Sequence, residues 1–582
     1  MHVRSALVAL SGAVTLSLLA CGQSEATQKE QAPLSNRSNP PEQSRNGGGL
    51  QPSAPAAPGS PVSTPPVAET DPSAPQTAPQ PETPSQPSAP ATPSTPPVAE
   101  TPAPPASPPP VVTPPPSTQP QPPSAEFSRI LWVSPGGNDA AEGSKERPYR
   151  TVAKALSQVK PGEAIFLLSG TYSERLRLEE RGGTASALLT IKAAPGATAV
   201  LKGGTGSTTP MVYVRGAYWR IEGLTVDVAG DRAFAVIWRG QGAHHGILRG
   251  SILKNGTEGA GVDISGSASD VLVENNQIHH FQKAGGDSHG VCVETTSRNV
   301  VVRGNDIHHN SGDGVQCLGP EGGATLPGTP FDNLLVEDNE LHENQENGAD
   351  IKTCTHVTLS HNSIWGHHRT STSAGEGVVV HLSASDVTLE ENVFHGNGRG
   401  INIGGVRVGA PPTRIVLRRN LILDGYAQDG NDGVGIRVDT SSDVKLQNNT
   451  VWNMPGSGIM FGYGDTGPSQ GLEVRNNVLA NCTVSLRAGA GRKGAVVDSN
   501  LYFREGGAAR FLLDGVDQNF TQWRQKTGGD GHSLEGSPAF TDTDSEDFTL
   551  SPASPARDRG VVLGLPFCGQ APDLGARESG CP

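Results

Sequence analysis

Asn276-Gln277-Ile278, Asn305-Asp306-Ile307, Asn339-Glu340-Leu341, Asn362-Ser363-Ile364, Asn392-Val393-Phe394, Asn420-Leu421-Ile422, Asn449-Thr450-Val451, Asn477-Val478-Leu479 and Asn500-Leu501-Tyr502 are nine returns of one pattern. From 276 to 500 the eight steps cover 224 residues, a mean of 28. Each step also carries a Gly followed by alternating apolar residues, as in Gly377-Val378-Val379-Val380 and Gly400-Ile401-Asn402-Ile403. Gly223 and Gly250 are expected to hold the place of the Asn in two earlier steps. Such a period, with several short strands per turn, predicts an all-β fold, a right-handed parallel β-helix. A leucine-rich repeat would show Leu-x-x-Leu-x-Leu, and a propeller blade would be longer; neither fits. The Asn is expected at a bend, its amide stacked on that of the next coil, with a structural role only. His279, His308, His342 and His395 each fall three residues after the Asn and predict an outward column that stacks. For a metal, such a column would need ligands converging on one point rather than spaced a coil apart.

Working outward, the body opens at Ile130-Leu131-Trp132-Val133-Ser134-Pro135-Gly136-Gly137-Asn138-Asp139. A short helical pattern runs through Leu156, a Pro-Gly turn comes next at Pro161-Gly162, and Ala164 to Leu168 reads as a strand ending in Gly170-Thr171-Tyr172. A solenoid needs a cap of this kind to cover the apolar end of its first coil. Residues 128–203 are read as cap and first coils, 204–505 as the β-helix, and 506–582 as the second cap. Before the body, residues 22–127 are rich in Pro, Ser, Thr, Ala and Gln, and Ser63 to Thr70 recurs as Ser94 to Thr101. Such a segment cannot bury a core and reads as an extended spacer. At the N-terminus, His2 and Arg4 precede an apolar run from Ala6 to Ala20, too short for a stable membrane span. The run ends Ser17-Leu18-Leu19-Ala20-Cys21, which resembles a bacterial lipobox in a signal peptide of residues 1–21 with Cys21 lipidated. The alternative is an ordinary signal peptide with an incidental Cys. Gly22-Gln23, with no Asp after the Cys, resembles an outer-membrane lipoprotein address, on the cell surface or the periplasmic face. The membrane would then be touched only through the lipid.

The net charge of -14 spreads over the body, and no basic face suited to nucleic acid is visible. An acidic polysaccharide is not excluded, because local Lys and Arg side chains can serve it. Seven cysteines fit an oxidising compartment without forming a dense framework. Cys568 and Cys581 are expected to close a short loop. Cys292, Cys317, Cys354 and Cys482 read as small core residues, without the spacing of a metal site.

The chemistry is set by strand alternation. Residues one and three after each Gly face the core (Val291 and Val293, Ala349 and Ile351, Val378 and Val380). Residues two and four therefore face outward: Asp263, Glu294, Gln316, Asp350, Lys352, His381, Asn402, Arg437 and Asp439. Just before the Gly stand His289, Asp313, Asn347, Glu376 and Arg399. With coils about 4.8 Å apart, Gln316, Asp350, Lys352, His381 and Asn402 can form one polar surface. Excursions at 319–330 and 369–376 could wall it into a groove. Asp313 in Ser311-Gly312-Asp313 with Lys352 in Asp350-Ile351-Lys352 resembles the site of family nine pectate lyases, which implies elimination from a uronate. That reaction needs a base near the proton beside the carboxylate and cationic or amide groups to neutralise that carboxylate. Lys352 can serve as base, with His381 and Arg399 as neighbouring cations; Asp350 on the same face opposes by keeping the lysine charged. A bland ion pair between Asp350 and Lys352 is an equal reading.

The cap sequence resembles that of secreted β-helix polysaccharide lyases. Asp313 in Ser311-Gly312-Asp313-Gly314-Val315-Gln316, with Lys352 in Asn347-Gly348-Ala349-Asp350-Ile351-Lys352, resembles family nine pectate lyases. The resemblance spans Ile130 to Gly405 and implies calcium at an Asp-rich strand start and a Lys base on a later coil. Carried over, calcium would sit at Asp313 and Asp287, catalysis at Lys352 with Asp350 and His381, and substrate on Glu294, Gln316, Glu376, Arg399, Asn402 and Arg437. The chain departs from the pattern in having Gly312-Asp313 for two adjacent Asp, Gln316 for a third and His289 for another, and in placing Lys352 four residues after its Gly rather than two. The Asp-Asp and Gly-His-Gly runs of galacturonan hydrolases and the Asp-Pro-His-Asp of alginate epimerases are absent. An inverting hydrolase would still need two carboxyls about 6.5–9.5 Å apart, for which Asp313 and Asp350 qualify by position. The expectation is a monomeric, surface-anchored lyase of acidic polysaccharide, with a non-catalytic binding or adhesion protein as the alternative.

Overall fold

A computed structural model describes residues 126–179, 181–318, 329–371, 373–404, 410–428, 433–464 and 468–581. The signal segment, Cys21 and the spacer up to residue 125 lie outside the described residues, as does most of the 319–330 excursion. No helix among the described residues is long and apolar enough to cross a membrane.

Each coil lays down three short strands. In one, Ala260–Ser265, Ser269–Glu274 and Gln277–His279 come in turn, and His289–Glu294 begins the next. Stacking builds three sheets of 14 strands whose neighbours pair in parallel, except at the end of the second sheet, where Phe511–Leu513 and Val516–Gln518 form an antiparallel hairpin. Ser269–Glu274 belongs to the first sheet, Ala260–Ser265 to the second and Gln277–His279 to the third. The core is the continuous apolar column between them: Val262 and Ile264, Val271 and Val273, and Ile278 are buried, as are their counterparts coil after coil. The alternation read from the sequence therefore holds, and the fold is a right-handed parallel β-helix.

The Asn at the bend from first to third sheet is the repeat's fastener. Asn276 Nδ2 donates to Asn305 Oδ1 at 3.0 Å, and the same bond recurs at 2.9–3.0 Å up to Asn500. Each amide also donates to a carbonyl of the preceding coil, as Asn305 does to Val273, so no polar capacity is left for chemistry. The residue before the Asn is left-handed: φ is 54° at Asn275, 56° at Asp338 and 55° at His361. This bend corrects the placement of Gly223 and Gly250. Ile252 pairs with Gln277, so Ser251 takes the Asn position and Gly250 the left-handed one before it. The Gly that precedes each second-sheet strand has another reason. A Cβ on Gly314, Gly348 or Gly377 would lie 2.6 Å from the carbonyl oxygen of the corresponding Gly in the next coil. Only Gly tolerates that approach.

At the N-terminal end, helix Val152–Leu156 covers the first coil with Val152 and Ala155 buried. Asp139 fixes its start by accepting from the backbone of Arg150 and Thr151, each at 2.9 Å. Phe127 packs edge-on against Phe166. The C-terminal segment divides its work. Helix Phe520–Thr527 covers the last coil through buried Trp523, whose indole donates to Asp530 at 2.7 Å. The remainder doubles back along the outside of the third sheet, where Leu550, Ala556 and Leu574 pack on Val478 and Leu501.

Cys317 and Cys354, read as plain core residues, are joined in a disulfide across one coil. A second disulfide joins Cys568 and Cys581, and Cys482 is a buried free thiol. Cys292 stands in the outward column of the second sheet, opposite Asp263 and Gln316, and is fully buried there in an apolar cluster with Phe234, Ile237 and Ala260. The two bridges mark a chain that matures in an oxidising compartment.

Candidate active site

Register places the expected residues on the second sheet's outward face. Asp263, Cys292, Gln316, Asp350, Val379, Asn402 and Arg437 are successive pairing partners. Val379 therefore interrupts the polar row between Asp350 and Asn402. Lys352 and His381 stand one step further along their strands, His381 N–H donating to Ile351 and Lys352 N–H to Cys317. Glu376 and Arg399 pair at the other end of the strands.

Three of the groups converge. Lys352 Nζ lies 3.4 Å from Asp350 Oδ2, and His381 Nε2 lies 2.8 Å from Asp350 Oδ1. That second contact is close but off the hydrogen-bond line. Asp350 is 6% and Lys352 4% exposed, so the pair is buried rather than the surface pair that position alone allowed. Burial pushes the Asp350 carboxyl up, but the charges of Lys352 and His381 outweigh it and hold the group well below the usual carboxylate range. Two further pairs flank the triad: Arg399 donates to Glu376 at 2.9 Å, and Arg437 to Asp439 at 2.7 Å. Asn402 Oδ1 is buried with no hydrogen-bond partner among the described residues. Toward the N-terminal end, burial pushes the Asp263 carboxyl up to about 6 against Ser265, Arg239 and Glu294, which act to lower it.

The expected calcium cradle is a hydrogen-bond network. Asp313 is fully buried; its Oδ1 accepts from Asn347 at 2.8 Å and its Oδ2 from Gln316 at 3.0 Å. His289 Nδ1 accepts the Asp313 backbone N–H at 2.9 Å and lies 3.2 Å from Asp313 Oδ2. The groups whose ligand atoms gather here are His289, Asp313 and Glu346, and Asp287 is not among them. Calcium takes six to eight oxygens. A site with one nitrogen, a glutamine that donates its amide and a carboxylate already spanned by two donors does not fit it. Asp313 thus converges with His289 and Glu346 rather than with Asp287, and these three are the groups there that could hold a cation.

Residues 131–455, more than half of the chain, match the family described as Pel9A-like, right handed beta helix region. The chain belongs to that family. Within the curated proteins it is 26% identical over 466 residues to the uncharacterized protein YwoF of Bacillus subtilis (strain 168), covering 73% of this chain and 92% of that one. It is 25% identical over 466 residues to pectate lyase L of Dickeya dadantii (strain 3937), covering 77% and 90%. The crystal structure of pectate lyase Pel9A aligns with a TM-score of 0.39 at 18% identity, over 78% of this chain and 96% of that one.

Two contributors to this Pel9A-like face escaped the sequence. Ser373, in the 369–376 excursion, places its Oγ 3.1 Å from both Asn347 Oδ1 and Glu376 Oε2, within reach to donate to either, and so ties that loop to the face. Glu346 joins His289 and Asp313 from the turn before Asn347. Neither lies on a strand, so alternation gives no signal for them. Two concavities lie away from this face. One of about 400 Å³ is beside the N-terminal cap at Glu174 and Arg181, and one of about 220 Å³ is between Arg419 and the C-terminal tail.

Proposed function

We propose that this chain is a polysaccharide lyase of the Pel9A-like family, displayed outside the cytoplasm on a lipidated Cys21 and a proline-rich spacer, and acting on a uronate-containing polymer. The observation that carries the reading is the buried Asp350–Lys352–His381 triad on the second sheet, in a chain related to named pectate lyases. In the reaction, the Lys352 ammonium first gives a proton to solvent, and the neutral Nζ then takes the proton beside the sugar carboxylate. The electron pair forms the ring double bond, and the bond to the neighbouring glycosidic oxygen breaks, that oxygen then receiving a proton from water. Asp350, ionised throughout the working pH range, orients Lys352; His381 and Arg399 face the sugar carboxylate; Asn402 accepts a sugar hydroxyl. No step runs through calcium, whose donor set is not retained.

A second reading draws on the same triad: its charges are satisfied within the protein, as are those of Glu376 with Arg399 and Arg437 with Asp439. On that reading the face binds polysaccharide without cleaving it.

The experiment is ultraviolet detection of unsaturated uronide from the secreted protein on pectate, alginate and glycosaminoglycan, with calcium and with chelator, beside Lys352→Ala. Product that survives chelator and vanishes in the variant is expected. Binding to one polymer without product from any would replace the lyase with the adhesion reading.

A further inference from the structure

The third sheet carries a second set of ligating groups on an outward face distinct from the triad. The expected column forms: His279 stacks on His308 at 4.9 Å, His308 on His342 at 4.8 Å, His342 on Trp365 at 4.2 Å and Trp365 on His395 at 5.8 Å. What spacing alone did not reveal is that alternation adds a carboxylate. Asp306 and His308 flank inward-pointing Ile307 on one strand, and His342 is the register partner of His308 on the next coil. His342 Nε2 lies 3.0 Å from Asp306 Oδ1, His308 Nε2 lies 3.9 Å from Asp306 Oδ2, and the three ligand atoms fall within 4.8 Å of one another.

We propose that Asp306, His308 and His342 form a site for a divalent transition metal of the zinc type. Ligands about 2.0–2.1 Å from a tetrahedral ion stand roughly 3.3 Å apart. The Asp306 distances bracket that value, and small ring rotations close the rest. Three ligands leave a fourth position toward solvent. Each ligand also has the outer partner that such sites use to fix tautomer and orientation. His342 Nδ1 lies 3.1 Å from Glu343 Oε2, His308 Nδ1 lies 2.7 Å from His309 Nδ1, and Gln277 donates to Asp306 Oδ2 at 3.1 Å. The two nitrogens and one oxygen suit zinc rather than calcium. The site is independent of the lyase reading.

The test is zinc titration of the chelator-stripped, tag-free protein by calorimetry at neutral pH, with visible absorption after cobalt substitution. The wild type is expected to take up at least one equivalent, and His342→Ala and Asp306→Asn each to weaken that binding at least tenfold. His361→Ala, which alters a His–Glu pair on another column, is expected to bind as wild type does. Tetrahedral cobalt absorption should disappear in His342→Ala while the far-ultraviolet spectrum stays unchanged. Zinc uptake by the wild type no greater than by His342→Ala, or equal affinity in Asp306→Asn, would overturn the site.

Discussion

The second and third sheets of this solenoid both point charged side chains outward from the same repeat, and they dispose of that charge in opposite ways. On the second sheet Asp313 and Asp350 are buried and closed into contacts with Gln316, Asn347, Lys352 and His381. On the third, the side chains of Asp306, His309 and Glu343 keep 33–45% of their exposure, while His308 and His342, at 16% and 12%, stack with their Nε2 atoms toward Asp306. The difference lies in the turns that flank the strands. Second-sheet strands begin from turns long enough to fold back, as the Ser373 excursion does onto Asn347. Third-sheet strands of three residues end at a left-handed residue such as His280 or His309, which turns the chain away at once. Alternation decides which side chains leave the core; the turns decide whether they meet water.

The comparison breaks most easily at the triad. Asp350→Asn leaves Lys352 and His381 facing each other without the carboxylate between them, a loss of about 3–5 kcal/mol for a buried charge deprived of its partner. Glu343→Gln on the third sheet, at 44% side-chain exposure, should change stability by less than about 1 kcal/mol. Urea unfolding of the two variants beside wild type checks both, and similar losses would erase the distinction between the faces.

A pH experiment sharpens it from beneath. His367 interrupts a second, interior amide column, its Nδ1 lying 2.9 Å from Asn397 Oδ1 and its Nε2 3.4 Å from Asn344 Nδ2. Burial pushes its pKa down to about 3 despite the Asn397 contact that raises it. The unfolded chain therefore binds a proton below about 6.5 that the folded chain refuses, and stability falls with acidification between about 6.5 and 3. Roughly 2–3 kcal/mol of the fold's stability should disappear from this residue alone between pH 6.5 and 4.5. His367→Asn, which restores an amide to the column, should flatten the unfolding midpoint over that range. An unchanged acid slope would mean that this histidine is not held neutral.

The first amide ladder should respond with a smaller, pH-independent loss. Asn392→Ala orphans the Asn362 backbone N–H and the Leu359 carbonyl, costing about 2 kcal/mol, read from the same urea midpoints. This ladder was the most legible feature of the chain because a side-chain amide at a fixed step has one way to satisfy both its ends. Legibility weakened wherever geometry off the strand decided the outcome. Gly250 marked the bend rather than the amide position, so its register slipped by one. Cys317 and Cys354 lie 37 residues apart, a separation that becomes a single coil only once the excursion between them is set aside. For Asp313, residue types carried a resemblance to a calcium site, while the direction of the Gln316 amide, invisible in sequence, turned it into a hydrogen-bond network. The convergence of Asp306 with His308 and His342 was hidden because spacing counts along one column, whereas the carboxylate enters from two residues upstream.

The smallest effect belongs to the exposed stack itself. Trp365 lies between His342 and His395 with interplanar angles of 6° and 17°. Stacked ring pairs add about 0.5–1.5 kcal/mol beyond area burial, and partial exposure at this position favours the lower end. Trp365→Ala should thus cost about 1 kcal/mol in urea unfolding. Because Ile364 beside it remains in the core, the coil keeps its register, and polymer cleavage on the second sheet should not change. A loss as large as that of Asp350→Asn would mean that the column braces the solenoid. In that case the ring stack, rather than ligation, would explain why the imidazoles recur at this step, and only the zinc titration of Asp306→Asn would still separate the two roles.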